Sequence, residues 1–263
     1  MEGSAPQSYA AAMTTPFTYD FGYSWLVAWG YVIPIALFGG LTGLGLWLGW
    51  RRSLVVTSGL VATWAIASLV IIHAFGINTP QQLPTGQFLS SGTGRVVDVG
   101  AGSGRAAVGL LLARPRVTVT AVDIYSGYYG IDDNTPERFM RNARIAGVAD
   151  RAQALVGDAR DLPLAASEYD GVISAFAIDH LNRDGIPKAL AEAGRVLKPG
   201  GEFLLMIVNV DWWAKLTSPH AMAHHRAADP KAWRTLLESA GFEIVEQGTK
   251  PMTLYFLSRK SRA

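Results

Sequence analysis

The chain of 263 residues contains no cysteine. That absence excludes disulfide staples, thiolate zinc sites and thiol nucleophiles together, and leaves the redox compartment undetermined. Charge is almost as scarce over the first third. Residues 1–94 carry only Glu2, Asp20, Arg51 and Arg52 as charged side chains, although the whole chain holds 23 Lys and Arg against 21 Asp and Glu. The net charge of +2 is too small to imply a nucleic-acid partner. Its distribution says more: the two parts of the chain must face different solvents.

The poorly charged part holds two uncharged runs, 26 residues from Trp25 to Trp50 and 25 from Ser53 to Ile77. Roughly 20 apolar residues in a helix cross a hydrocarbon core, so both runs are long enough. Five of the eight tryptophans lie here. Trp25 and Trp29 sit near one end of the first run and Trp47 and Trp50 near the other, where amphipathic rings favour the headgroup layer. Gly39, Gly43, Gly45 and Gly49 offer small surfaces on which a second helix can pack. The pattern predicts a transmembrane helical hairpin over 25–77. A flexible or interfacial segment at 1–24 precedes it, and a linker at 78–94, rich in Pro, Gly, Ser and Thr, follows. A cleaved signal is disfavoured, because residues 1–24 have no Lys or Arg and two such runs exceed a signal's apolar core. His73, near the end of the second run, reads as interfacial or paired.

Beyond residue 94, short β-branched runs alternate with helical patterns. Strands are expected at 95–99, 117–122, 152–156, 170–175, 202–209, 243–248 and 252–258, with helices at 103–113, 135–147, 185–196 and 229–240. Strands separated by helix-length segments need crossover connections, so the sheet should be mostly parallel with helices on both faces. The last two strands are joined by only a few residues, which permits only an antiparallel pair. The fold class is therefore α/β: a Rossmann-like, doubly wound, seven-stranded and mostly parallel sheet with an antiparallel C-terminal strand, in a domain at 95–263 behind two transmembrane helices.

Chemistry concentrates at the strand tips, where ligands bind in such sheets. Val97-Asp98-Val99-Gly100-Ala101-Gly102-Ser103-Gly104-Arg105 is a strand entering a glycine-rich turn and then a helix, a form that lets a ligand approach backbone N–H groups. It departs from the dinucleotide fingerprint G-x-G-x-x-G, since the third glycine comes one position early and Arg105 occupies its place. The acid Asp98 before the first glycine suits an ammonium group and would repel a pyrophosphate. A second strand ends at Asp123, where a carboxylate can accept both hydroxyls of a ribose; alone, that acid reads equally as an ordinary turn residue.

Together with Val156-Gly157-Asp158-Ala159, Tyr169-Asp170-Gly171-Val172-Ile173-Ser174 and Leu197-Lys198-Pro199-Gly200-Gly201-Glu202, these blocks make residues 95–258 resemble class I S-adenosylmethionine (SAM)-dependent methyltransferases, especially the quinone and small-molecule methyltransferases. The resemblance implies SAM as cofactor. It places Asp98 by the methionine part, the backbone of Gly100, Ala101, Gly102, Ser103 and Gly104 against the cofactor, Asp123 on the ribose hydroxyls, and Ile124 on the adenine. Asp158 would accept from the adenine amino group, the Ala159 N–H would meet a ring nitrogen, and Ser174 to Ile178 would line the methyl donor. The Lys198 to Gly201 stretch reads as a structural turn between a helix and the strand at 202–209.

Asp179 and His180, after the fourth strand, are the candidate catalytic pair, able to hold an acceptor or take its proton; Asp179 as a turn or helix cap with His180 merely packed is the equal alternative. Tyr125, Tyr128 and Tyr129 form an aromatic insertion that either closes over the cofactor or packs on the N-terminal segment. His220 and His224 stand one helical turn apart, but no third ligand has a recognisable spacing, so no metal is expected. That segment, with Trp212 and Trp213, reads as a lid over the acceptor pocket or a contact to lipid. The expected partners are the bilayer and a small apolar or membrane-dissolved acceptor: a quinone-like ring, a lipid or a small thiol. The expected location is the membrane, as a multi-pass protein with its catalytic domain facing the cytoplasm where SAM is made, although Arg51 and Arg52 in the hairpin connection favour the opposite orientation. A SAM-binding membrane subunit without turnover is the alternative; an NAD oxidoreductase is disfavoured by the glycine spacing.

Overall fold

The computed structural model describes residues 18–126, 131–217 and 229–261. The chain opens with α1 (Trp25–Trp29) and α2 (Val32–Leu48), nearly continuous, then α3 (Arg52–Ile71), which runs on through a π-helical turn at Ile72–Gly76. By length and composition the stretches Trp25–Leu48 and Arg52–Ala74 are each able to cross a membrane. They pack as a hairpin that leaves large apolar side chains uncovered: Trp47 is 81% exposed, Leu46 69% and Leu60 65%. Water would penalise such a surface by about 25 cal/mol per Å².

The glycines do not pack as their spacing suggests. Only Gly45 lies against the partner side, with a Cβ there 3.0 Å from Val55, while Gly39, Gly43 and Gly49 face open space. The contact line runs instead through Thr42, which donates to Ser58 Oγ at 2.9 Å, and through Gly59 beneath it. Helix rotation is set by this polar pair as much as by small residues.

The second part is a seven-stranded sheet of order β3-β2-β1-β4-β5-β7-β6. Its strands are β1 (Thr93–Val99), β2 (Arg116–Asp123), β3 (Ala152–Val156), β4 (Tyr169–Ala175), β5 (Leu197–Val208), β6 (Phe242–Lys250) and β7 (Thr253–Lys260). The first five are parallel to their neighbours, and β7 runs antiparallel to both β5 and β6. The crossover helices are α4 (Arg105–Ala113), α5 (Pro136–Ile145), α6 (Gly185–Val196) and α8 (Pro230–Ser239), with a short α7 (Trp212–Thr217) after β5.

Strand alternation feeds two cores. Val97, Val172, Phe203 and Leu205 face α6 and α8, while Val96, Ile173, Leu204 and Met206 face α4 and α5. Buried on both faces, the central strands read as near-continuous apolar runs. The Lys198 to Gly201 stretch lies within β5 rather than before it: Tyr169 pairs with Leu197, pairing resumes at Gly171 with Glu202, and the residues between bulge out.

Two segments expected to be loose are held down. Phe88, in the expected linker, is fully buried against Gly171, and Arg114 donates to the carbonyls of Phe88 and Gly86. Tyr19 and Phe21 are buried beside Val108 of α4. Between them Asp20 pairs with Arg138 and Arg141, and its backbone exchanges hydrogen bonds with the buried Asn142 side chain. His73 is paired, its ring nitrogens lying 2.8 Å from the Ala28 carbonyl and 2.6 Å from Asn78 Nδ2.

Candidate active site

The turn leaving β1 is bound tightly to the tip of β2. The N–H groups of Gly100 and Ala101 both donate to the Val122 carbonyl, at 2.8 and 3.3 Å. Gly100 has φ +73°, and a Cβ there would collide with the Ala177 side chain. Gly104, at φ +88°, would drive a Cβ into the Phe139 ring. Positive φ and close approach both require glycine.

Asp123 organises the next layer. Its Oδ2 accepts the Gly102 N–H at 2.9 Å, and its Oδ1 accepts the Tyr125 N–H at 2.7 Å and the Asn134 side-chain amide at 3.1 Å. Asp98 lies beneath the turn, fully buried, and neither oxygen finds a well-aligned hydrogen-bond partner. Burial pushes its carboxyl up to about 7; the neighbouring Asp123 charge adds to the rise and the Ala107 amide opposes it. An acid stranded in this way is compensated only by a proton or a cation.

Above the tips of β1, β2, β4 and β5 lies a cavity of 640 Å³. It brings together Gly100, Gly102, Asp123 and Ile124 with Asp158 and Ala159 on one side, and Asp179 and His180 on the other. Asp158 is chelated by Arg160, with Nη2 at 2.5 Å and Nε at 2.9 Å, and these bonds hold its carboxyl below the usual range. Asp179, in a short turn at Ile178–His180, accepts the Val208 N–H through Oδ2 at 2.9 Å, while Oδ1 is buried without a hydrogen bond. The cap of α6 falls elsewhere, since Asn182 Oδ1 accepts the Gly185 N–H.

Other expected site residues stand apart from the cavity wall. Asp98, Ala101, Ser103 and Gly104 do not line the cavity: Asp98 is buried beneath the turn that the other three complete, and the Ser103 hydroxyl is buried without a hydrogen bond among the described residues. Ser174 faces the core, donating to the Val99 carbonyl at 2.8 Å. The Tyr125 hydroxyl is buried without a partner among the described residues, and burial together with the Asp123 and Asp98 charges raises its pKa further. Tyr128, Tyr129, His220 and His224 lie outside the described residues.

Comparison with known proteins bears on this geometry. Residues 96–201 match the family described as Methyltransferase domain. Over 134 residues the chain is 32% identical to the ubiquinone/menaquinone biosynthesis C-methyltransferase of Syntrophotalea carbinolica, covering 51% of this chain and 52% of that protein. It is 36% identical over 107 residues to the malonyl-[acyl-carrier protein] O-methyltransferase of Methylococcus capsulatus, covering 41% and 34%. The residues carrying these matches fold into the turn and sheet just described. Residues 96–201 are thus similar to a methyltransferase domain, and the sheet they build has the fold of SAM-dependent methyltransferases.

The chain spans about half the length of the first of these relatives and a third of the second. An O-methyltransferase family 2 protein from Planctomyces limnophilus, solved with apigenin, shares the fold of the methyltransferase domain, with TM-score 0.52, 18% identity and coverage of 77% of this chain and 69% of that one. SAM is the methyl donor that a methyltransferase domain of this class implies, and the residues present fit it. The buried Asp98 suits an ammonium group, and Asp123, at the cavity wall, accepts through Oδ2 only the Gly102 N–H among the described residues. Among the cavity residues that escaped the sequence reading are Asn134, Arg160, Asn182 and Trp233. Arg160 stands two residues from Asp158 and could have been read as its partner; the others come from loops and a helix whose approach no local pattern announces.

Proposed function

We propose that this chain is a membrane-held enzyme that moves a methyl group from SAM to a small apolar acceptor arriving from the bilayer. The observation that carries the reading is the docking of the apolar hairpin at the same sheet edge as the cavity. Tyr31 of the hairpin donates its hydroxyl to the Thr217 carbonyl at 2.6 Å, and Trp64 donates Nε1 to the Leu216 carbonyl at 2.7 Å. Both acceptors belong to α7, which leaves the tip of β5 where Ile207 and Val208 line the cavity. A hydrophobic acceptor dissolved beside the hairpin therefore has a short path to the site. SAM consumption supports a cytoplasmic position for the domain.

SAM, when bound, supplies a methyl carbon already activated by a sulfonium, so the protein mainly positions partners and excludes water. The Gly100 to Gly104 backbone and Asp98 hold the amino acid end, Asp123 the ribose, and Ile124, Asp158 and Ala159 the base. Ile207, Phe176 and Trp233 give the remaining cavity its apolar walls. Phe176 holds φ +55° at the tip of β4, a strained backbone of the kind found where a side chain must be aimed. Asp179 Oδ1, anchored through its sister oxygen to Val208, is the acceptor available to a substrate hydroxyl, and His180 stands beside it as a second proton-handling group.

The test is incubation of the full chain, in membranes, with labelled SAM and a lipid extract, alongside quinols, phenols and thiols. Label in an apolar product supports the reading. A protein that binds SAM's demethylated product yet labels none of these acceptors would overturn turnover, and release of the chain from membranes by alkaline carbonate would overturn the anchoring.

A further inference from the structure

A second cavity, of 590 Å³, shares no lining residue with the first. It sits where the hairpin meets the catalytic domain, enclosed by the end of α3, the π-helical turn, the residues following Thr79, the first residue of α4, α7 and the β6–β7 turn. We propose that this cavity is a binding site for an anionic phospholipid, its phosphate held by Arg105 and Lys250 and its acyl chains leaving along the apolar end of α3. The inference rests on the reading of the hairpin as membrane-embedded.

The sign of charge is the first support. Arg105 and Lys250 both line the cavity and no carboxylate does. Neither cation has an acidic partner among the described residues. Arg105 spends Nε on the Thr79 carbonyl at 2.9 Å, which braces the guanidinium and leaves its two terminal nitrogens without a hydrogen bond among the described residues. The acids nearby are already committed. Asp211 accepts the Ala214 and Met252 N–H groups, and Glu246 accepts the Thr85 and Tyr255 hydroxyls. A guanidinium braced on one edge presents the remaining donors as a fork that matches a phosphate.

The second support is the apolar share of the lining. Ile71, Ile72, Trp213 and Met252 line the same cavity, and the wall continues into the exposed face of α3, where Val70 is 59% exposed. Two cations and an apolar, lipid-facing slope in one cavity match the two parts of an amphiphile. Depth agrees, because Ile71 and Ile72 lie at the end of a helix able to cross the bilayer, where headgroups are found. A free anion would use the cations and leave the apolar wall unfilled.

The experiment uses the full chain in neutral detergent, with native mass spectrometry reading retained phosphatidylglycerol against phosphatidylcholine, and inorganic phosphate as competitor. The expected result is one phosphatidylglycerol per chain, retained at least tenfold over phosphatidylcholine, resistant to millimolar phosphate, and reduced at least tenfold in the R105Q/K250Q variant. Because Arg105 also braces Thr79, the single K250Q variant is run with its melting curve; it should lose retention severalfold at an unchanged midpoint. Equal retention of the two lipids, retention undiminished in both variants, or displacement by phosphate alone would overturn the proposal. Detergent-phase partitioning of the same sample tests the hairpin separately, so a chain that partitions into detergent but shows no lipid preference fails here without touching the anchoring.

Discussion

Asp123 Oδ2 accepts the Gly102 N–H at 2.9 Å, so the tip of β2 is hydrogen-bonded to the turn that leaves β1. One carboxylate thus shapes the floor of the cavity as well as offering an acceptor to a ligand. Asp123→Ala is expected to weaken binding of SAM's demethylated product at least 100-fold in calorimetry. It would also lower stability by about 1–3 kcal/mol, since the Gly102, Tyr125 and Asn134 donors all lose a charged acceptor. Asn134→Ala, which removes one donor and leaves the acid, should cost only a severalfold loss of affinity. Equal affinities for Asp123→Ala and the parent would refute the assignment of the ribose site.

Asp98 makes the ligand-free domain sensitive to pH. Its folded carboxyl titrates at about 7 against 3.8 for the ordinary group, so between those values the folded state keeps a proton that the unfolded state has released. Stability therefore falls as pH rises from about 4 to 7 and then levels off, by on the order of a few kcal/mol. Asp98→Asn should flatten that slope and melt higher than the parent at pH 8 without ligand, while binding SAM more weakly. Melting curves between pH 4.5 and 8.5, with and without SAM, check both halves; a parent whose midpoint rises from pH 5 to 7 would contradict the buried, unpaired acid.

Much of the sheet was legible in the sequence because its central strands are apolar runs, and β1 and β3 are each followed directly by a glycine, Gly100 and Gly157. The expected strand at 117–122 and the observed Arg116–Asp123 differ by one residue at each end. Less legible was anything decided by long-range contact. The Asn134 bond to Asp123 spans a loop with no periodic pattern, and α7 has only six residues, too few for a helical period to register. Gly39 and Gly43 face outward because the rotation of α2 is set by the Thr42 to Ser58 contact, and Phe88 looked like linker until Gly171 of β4 opened a space for its ring.

The glycine turn offers a separable test of strain and crowding. Gly104→Ala places a side chain at φ +88° and against the Phe139 ring, so roughly 2 kcal/mol or more should be lost. Gly147→Ala meets the same kind of positive φ, +69°, with nothing within 4 Å. It should cost about 1 kcal/mol, the backbone share alone. Thermal or denaturant unfolding of the two variants gives the difference, and equal losses would mean that Phe139 yields freely.

Asn142 links the N-terminal strap to the cofactor turn. Fully buried, it bonds the Asp20 N–H and carbonyl and the Ser103 carbonyl. Asn142→Ala strands those groups, and hydrogen exchange at residues 20–22 should rise by at least tenfold while exchange in β4 and β5 stays unchanged. Uniform loosening of the whole domain would instead mark Asn142 as a general core residue.

Asp179 is built to do two things with two oxygens. Oδ2 ties the turn after β4 to the Val208 N–H at 2.9 Å, and Oδ1 is buried without a hydrogen bond among the described residues, in a side chain that lines the cavity. Asp179→Asn preserves size and, with the amide oxygen toward Val208, preserves the tie, but it replaces an acceptor by a donor at the cavity. If Asp179 takes a hydrogen bond or a proton from the methyl acceptor, kcat should fall at least 100-fold in Asp179→Asn with SAM affinity unchanged. Asp179→Ala also breaks the tie, so it should lose stability by about 1–2 kcal/mol as well as activity. An Asp179→Asn enzyme with near-parental kcat would leave the oxygen with only its structural bond, and the burden of handling the proton would pass to His180.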